Sequence, residues 1–320
     1  DLTSRATHIR PGKHAGRKSG AEINAAALDW LDSQTASQPD RPFFMFLNYM
    51  DAHDPYVLPA GAEHRFGAKA ETAEDQAMIQ GWHAIAHHRL DPRQVRLASD
   101  AYDNCLSALD QSIGELLASL DQRGGLENTW VVITADHGEQ FGEHGLFLHG
   151  DSLYRAAIDV PLVILPPRGS TLQGKRIAAP VSLRDLAVTL VELSRGPSES
   201  EAESPTALPL PGRSLARLWD HPGSSDARAC LSTLGLDAPI SEAGLDVKPP
   251  RTKPKRLLAP VQLGPMISLV DEGFTYIRRN DGVEELFDLV EDPAESTNLA
   301  DRPELQDLLE RFRARVKSPR

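Results

Sequence analysis

Val131–Leu165 reads VVITADHGEQFGEHGLFLHGDSLYRAAIDVPLVIL. It opens on an apolar run of strand length, Trp130–Thr134, and closes on another, Val160–Leu165. Unbroken apolar strands of this kind are covered on both faces, as in a parallel sheet. Between them, Asp136, His137, Glu139, Glu143, His144 and His149 crowd into one loop, with glycines at 138, 142, 145 and 150. Glycine lets such a loop fold back on itself. Ligand sites in open α/β sheets lie beyond the carboxyl ends of strands, and these residues follow such an end. Carboxylate and neutral imidazole are metal ligands, and both also handle protons.

The pattern repeats upstream. Phe43–Tyr49 is a second apolar strand candidate, and it runs into Asp51-Ala52-His53-Asp54-Pro55-Tyr56. Before it, Ser19-Gly20-Ala21-Glu22 starts a helical pattern with Ile23, Ala26, Ala27, Trp30 and Leu31 on one face. After it, residues 57–90 read as irregular. Asp91-Pro92 then caps a helix whose stripe is Val95, Ala98, Tyr102, Leu106, Leu109, Ile113, Leu116, Leu117 and Leu120, stopping at Gly124-Gly125. A short helix is expected near Leu153–Ile158 and another over Ser182–Leu193. Ser194–Gly212 and Val247–Pro265 read as loops. The tail changes style. Ile267–Val270 and Phe274–Arg278 are short strands, Asn280-Asp281-Gly282 turns into a strand at Glu285–Leu289, and a helix runs from about Pro303. The organisation expected is a large α/β domain over 1–220, a mostly parallel sheet with helices on both faces. A small C-terminal α+β unit follows over 221–320.

Composition bounds the function. Lys+Arg number 34 against 46 Asp+Glu, a net charge of −12, which excludes a binder of nucleic-acid backbone. The longest apolar runs are too short to span a bilayer. Two cysteines, Cys105 and Cys230, make no disulfide scaffold and leave the compartment open. His83 and His87 have the i, i+4 spacing of a zinc helix, but Ala84 stands where a metalloprotease needs Glu. A solvated face is the plainer reading of that pair, as it is of the basic run Lys248–Arg256.

At these residues the chain resembles the sulfatase family of the alkaline-phosphatase superfamily. Val131–Leu165 is similar to the family's second metal motif and the strand after it. Phe43–Tyr56, FFMFLNYMDAHDPY, resembles its strand ending in His-x-Pro, and Tyr102-Asp103, Asp110 and Gly114 match the helix before the metal strand. Pro211–Leu215 and Glu285–Leu299, ELFDLVEDPAESTNL, look like its C-terminal signatures. The resemblance implies an alkaline-phosphatase-like fold and one divalent metal ion, be it calcium, magnesium, manganese or zinc. Asp136 and His137 would be metal ligands. His53 would bind sulfate and assist departure of the alcohol, and His149 would stand at a sulfate-binding position. The substrate would be a small sulfate ester, or a phosphate ester in the phosphonate and phosphodiester hydrolases that share the Asp-His pair.

Family members attack sulfur with a formylglycine made from Cys or Ser in the motif Cys/Ser-x-Pro-x-Arg. Here Cys105 is followed by Leu-Ser-Ala-Leu and Cys230 by Leu-Ser-Thr-Leu, so neither is that nucleophile. The expectation is a chain that lacks the N-terminal nucleophile and the remaining metal ligands, is inactive alone and has an unsupported sheet edge. A fold retained without catalysis, as a binding or structural module, is the reading from another class.

Overall fold

The computed structural model describes residues 17–39, 41–172, 174–195, 210–219, 229–234, 260 and 264–317. Most of the two expected loops and the basic run 248–256 lie outside them. The chain divides into two compact units, Asp1–Thr129 and Trp130–Arg320, whereas the sequence pattern puts its domain boundary at residue 220.

In the first unit, helix α1 (Gly20–Ser37) starts at a full capping box. The Ser19 backbone N–H donates to Glu22 Oε2 at 2.8 Å, and the Ser19 hydroxyl accepts from the Glu22 N–H. Helix α2 (Ala73–Gln80) occupies part of the stretch that reads as irregular. Helix α3 (Pro92–Gln122) is capped by Asp91 and Gln94, with Pro92 in its first turn, as expected. Its inner face is rotated from the predicted stripe. Leu97, Ala98, Asn104, Cys105 and Leu116 are buried, while Leu106 is exposed. Asn104 on that face holds the chain at residues 65 and 66. Its Oδ1 accepts from Arg65 N at 2.6 Å, and its Nδ2 donates to Phe66 O at 2.8 Å. A bidentate ion pair, Arg93 to Asp75 at 2.9 and 2.7 Å, ties α2 to α3.

The apolar run Phe43–Tyr49 forms no strand among the described residues, and Phe44 and Phe46 are 74% and 81% exposed. Apolar side chains satisfy only half of what a strand needs; the other half is a backbone partner.

In the second unit, β1 (Val131–Thr134) pairs with β4 (Leu162–Leu165), with Val131 opposite Leu165 and Thr134 opposite Leu162. The α/β class stands, but this pair is antiparallel, like every other strand pair among the described residues. The connection explains the direction. Gly138 N donates to Ala157 O at 2.8 Å, which returns the chain to the end of β1 just before β4 begins. Within that connection, β2 (Gln140–Phe141) pairs with β3 (Phe147–Leu148), and α4 (Arg155–Ile158) follows. Helix α5 (Leu186–Arg195) comes after a 3-10 turn at Leu183–Asp185.

The expected C-terminal strands form a four-stranded antiparallel meander with β5 (Cys230–Leu234): β6 (Met266–Asp271), β7 (Phe274–Arg279) and β8 (Glu284–Asp288). Side chains alternate across it. Ile267, Leu269, Tyr276 and Leu286 pack with Leu308, Leu309, Phe312 and Val316 of α6 (Gln306–Lys317). Met266, Ile277 and Phe287 point the other way and cluster with Leu146, Leu153 and Tyr154. That second cluster joins the Gly- and His-rich loop to the C-terminal sheet, which is why the two share one compact unit. No helix among the described residues is long and apolar enough to cross a membrane.

Phe312 is fully buried at the centre of the α6 cluster. Phe312→Ala is expected to lower unfolding free energy by about 3–5 kcal/mol in urea titrations. Val290→Ser, at a 76% exposed site, should stay within about 0.5 kcal/mol of the parent. Equal midpoints for the two variants would contradict the packing.

Candidate active site

The residues after β1 are set by a close backbone approach. A Cβ on Gly138 would stand 2.1 Å from the Ala156 carbonyl oxygen, so no other residue fits there. Gly142, His144, Gly145, Leu148 and Gly150 all take positive φ, and the chain between Gly138 and Asp151 turns tightly on itself as a result. The leucine and histidine are held in that region against their intrinsic preference. The cost for His144 is met by a parallel stack on Tyr154, ring centroids 3.6 Å apart and planes 6° off. Burial holds the His144 imidazole below its ordinary pKa.

Tyr154 is fixed in turn. Its hydroxyl donates to Glu285 of β8 at 2.9 Å, and burial pushes both the phenol and the Glu285 carboxyl above their usual ranges. Glu295 is buried, accepts from Arg155 N at 2.7 Å and lies 3.9 Å from His144 Nε2. Burial raises its carboxyl too. Glu285 and Glu295 fall in the stretch Glu285–Leu299 that resembles a family signature, yet no pattern in the sequence assigns them to this loop.

On that mount four of the loop's six acid and imidazole residues converge. The rings of His137 and His149 stack with centroids 3.7 Å apart, 20° from parallel. His149 Nδ1 lies 3.2 Å from Oε2 of the buried Glu139. His137 Nδ1 lies 2.7 Å from the Gly138 carbonyl, which places the proton on Nδ1 and the lone pair on Nε2. That Nε2 is 3.7 Å from Asp136 Oδ1, on a side chain 90% exposed at the strand end. Glu143 and His144 do other work. Glu143 Oε2 accepts from Phe141 N at 2.6 Å and closes the β2–β3 turn, and His144 anchors the loop.

The chemistry of the donor set fits a cation. Two electron-pair donors, Asp136 Oδ1 and His137 Nε2, face one another, an arrangement that a positive charge between them stabilises. They are two ligands and not a full set. Among the described residues no group of three or more His, Cys, Asp or Glu is placed to hold a metal ion.

The other expected residue, His53, lies in the first unit. The turn that carries it is pinned by Arg17, whose guanidinium donates to the carbonyls of His53 at 2.7 Å, Asp54 at 3.2 Å and Met50. Buried Asp51 accepts from Gly20 N at 2.9 Å and ties the same turn to the start of α1. His53 Nδ1 is 3.0 Å from Asp54 Oδ1. The pair His83 and His87 does not share a helix face. Each sits in its own 3-10 turn, Trp82–Ala84 and His87–Arg89, and His83 Nδ1 reaches Asp54 Oδ2 at 3.3 Å.

The Sulfatase family profile matches residues 6–196. The uncharacterized sulfatase YidJ of Escherichia coli is 29% identical over 197 residues, covering 58% of this chain and 37% of that protein. Arylsulfatase K of Xenopus laevis is 26% identical over 337 residues, covering 93% of this chain and 58% of that protein. The chain thus spans between a third and three fifths of the length of these two relatives. A crystal structure of the phosphonate monoester hydrolase of Agrobacterium radiobacter superposes with a TM-score of 0.65 at 20% identity, over 99% of this chain and 65% of that one. That likeness shows an alkaline-phosphatase-like α/β fold. With its matched region taking in more than half of its residues, the chain belongs to the sulfatase family.

Proposed function

We propose that this protein is a metal-dependent sulfuric ester hydrolase, converting a sulfate ester and water to an alcohol and sulfate. The observation that carries the reading is the stacked His137–His149 pair, with Asp136 facing one ring and Glu139 held against the other. Asp136 and His137 are assigned as ligands of a divalent ion. An imidazole beside a carboxylate favours manganese or zinc over calcium. A bound divalent ion supplies Lewis-acid charge to the ester's anionic oxygens.

His149 is assigned to the sulfate oxygens. Glu139 accepts its Nδ1–H and so fixes the ring's tautomer and direction. His53 is assigned to the sulfate and the departing alcohol, its Nδ1–H held by Asp54. A phosphonate or phosphodiester is the second reading, favoured by the imidazole at position 137.

This chain's own thiols are not suited to nucleophilic attack. Cys105 is fully buried in α3, and burial pushes both Cys105 and Cys230 up to about 11. The thiolate is the reactive form, so little of it exists near neutral pH. Neither cysteine lies in the formylglycine motif, and the one match to Ser-x-Pro-x-Arg, at Ser37, Pro39 and Arg41, has Ser37 at the end of α1 with its hydroxyl donating to Ser33 O at 3.0 Å and Gln34 O at 3.1 Å.

Manganese or zinc titrated calorimetrically into residues 1–320 should bind, and Asp136→Ala should weaken binding at least about tenfold. Unchanged metal affinity would overturn the ligand assignment and favour a non-catalytic module. With metal bound, sulfate should bind more tightly than phenylphosphonate; the reverse order moves the substrate to the phosphonates. Metal-dependent turnover of an aryl sulfate by this chain alone would contradict the expectation that the nucleophile lies outside it. Iodoacetamide should alkylate either cysteine in the folded chain about a hundredfold more slowly than in denaturant, read by mass spectrometry of the tryptic peptides.

A further inference from the structure

The carboxylate of Asp54 lies between two imidazoles. His53 Nδ1 stands 3.0 Å from Oδ1 and His83 Nδ1 stands 3.3 Å from Oδ2. A carboxylate can only accept hydrogen bonds, so both rings turn their Nδ1–H toward it and carry Nε2 on the far edge. The Asp54 side chain is 9% exposed, whereas that of His83 is 62% exposed. Burying a carboxylate without partners is costly, and here an imidazole nitrogen stands within ion-pair distance of each oxygen, that of His53 also lying 2.9 Å from the Asp54 backbone carbonyl.

The mount is aromatic. Trp82, fully buried, precedes His83, and Tyr56 follows Asp54 by two positions. Their ring centroids are 6.2 Å apart, and Tyr56 meets Tyr102 of α3 edge-on at 5.4 Å. His83 is therefore placed by a packed core, and its outer edge is offered to solvent.

When both rings are protonated, they and the shared carboxylate sum to +1, and the Arg17 guanidinium on the same turn is offset by the Asp51 carboxylate. The whole chain is at −12 and repels an anion at long range, so a local concentration of positive charge is what a sulfate needs.

We propose that His83 is a further substrate-contacting residue. With His53 it forms an oxyanion subsite, coupled through Asp54. The inference rests on the assignment of His53 to sulfate.

The test uses residues 1–320 carrying 15N-labelled histidine, titrated with inorganic sulfate against chloride at constant ionic strength. The imidazole signals of His53 and His83 should move together along one saturating curve. His83→Ala should raise the sulfate Kd read at His53 about tenfold, the worth of one charge-assisted hydrogen bond. His83→Asn keeps a donor for Asp54 but has no Nε2, so it should bind sulfate as weakly as the alanine variant. Restoration of the parent Kd by asparagine would mean that His83 only steadies Asp54, and the proposal would fall. It would fall equally if His83 stayed unmoved while His53 saturated, or if neither signal saturated. Since His83 is largely exposed, both variants should keep the parent melting temperature. Failure of the metal assignment is read separately, at Asp136.

Discussion

The site in the second unit depends on one contact, the approach of Gly138 to the backbone of α4. With a hydrogen for a side chain, residue 138 sits where a methyl group would meet the Ala156 oxygen at 2.1 Å. Its N–H then reaches Ala157 O. This closes the chain between β1 and β4 into a ring, reverses β4 against β1, and leaves Asp136 and His137 on the outside of the turn. Any side chain at 138 would force the ring open and separate the residues on either side of it.

A ring of this kind needs an anchor, because its left-handed residues are individually unfavourable. The anchor is distant in sequence. His144 lies flat on Tyr154, Tyr154 is hydrogen-bonded to Glu285, and Glu295 caps Arg155 N. The C-terminal meander is thus the floor on which the loop is built. The raised carboxyls of Glu285 and Glu295 and the lowered imidazole of His144 record how dry that floor is. The stacked pair above it remains partly open to solvent.

Local signals were read well where they are local in physics. The capping box at Ser19, the Asp91-Pro92 start of α3, the Asp281-Gly282 turn and the terminal helix all depend on neighbours a few positions away. So does the gathering of Asp136, His137, Glu139 and His149 behind one strand. The reading failed where the answer lies in a partner. Phe43–Tyr49 has strand composition but no ladder among the described residues. On α3, Asn104 reaches back to residues 65 and 66, a contact that helical period does not show. His83 is solvated, as its spacing suggested, with a side chain 62% exposed, but its contact with Asp54, 29 positions away, was not legible.

By itself the sequence determined the α/β class and the residue types that can do its chemistry, since these rest on composition, period and spacing, and its motifs carried the family resemblance. Only the tertiary structure decided which of those residues meet. It separated Glu143 and His144, which hold the loop, from Glu139 and His149, which face the site, although all four share one short stretch. It also attached His83 to His53 through a buried carboxylate. Distances across a fold come from packing of remote segments, and spacing along the chain carries no record of them.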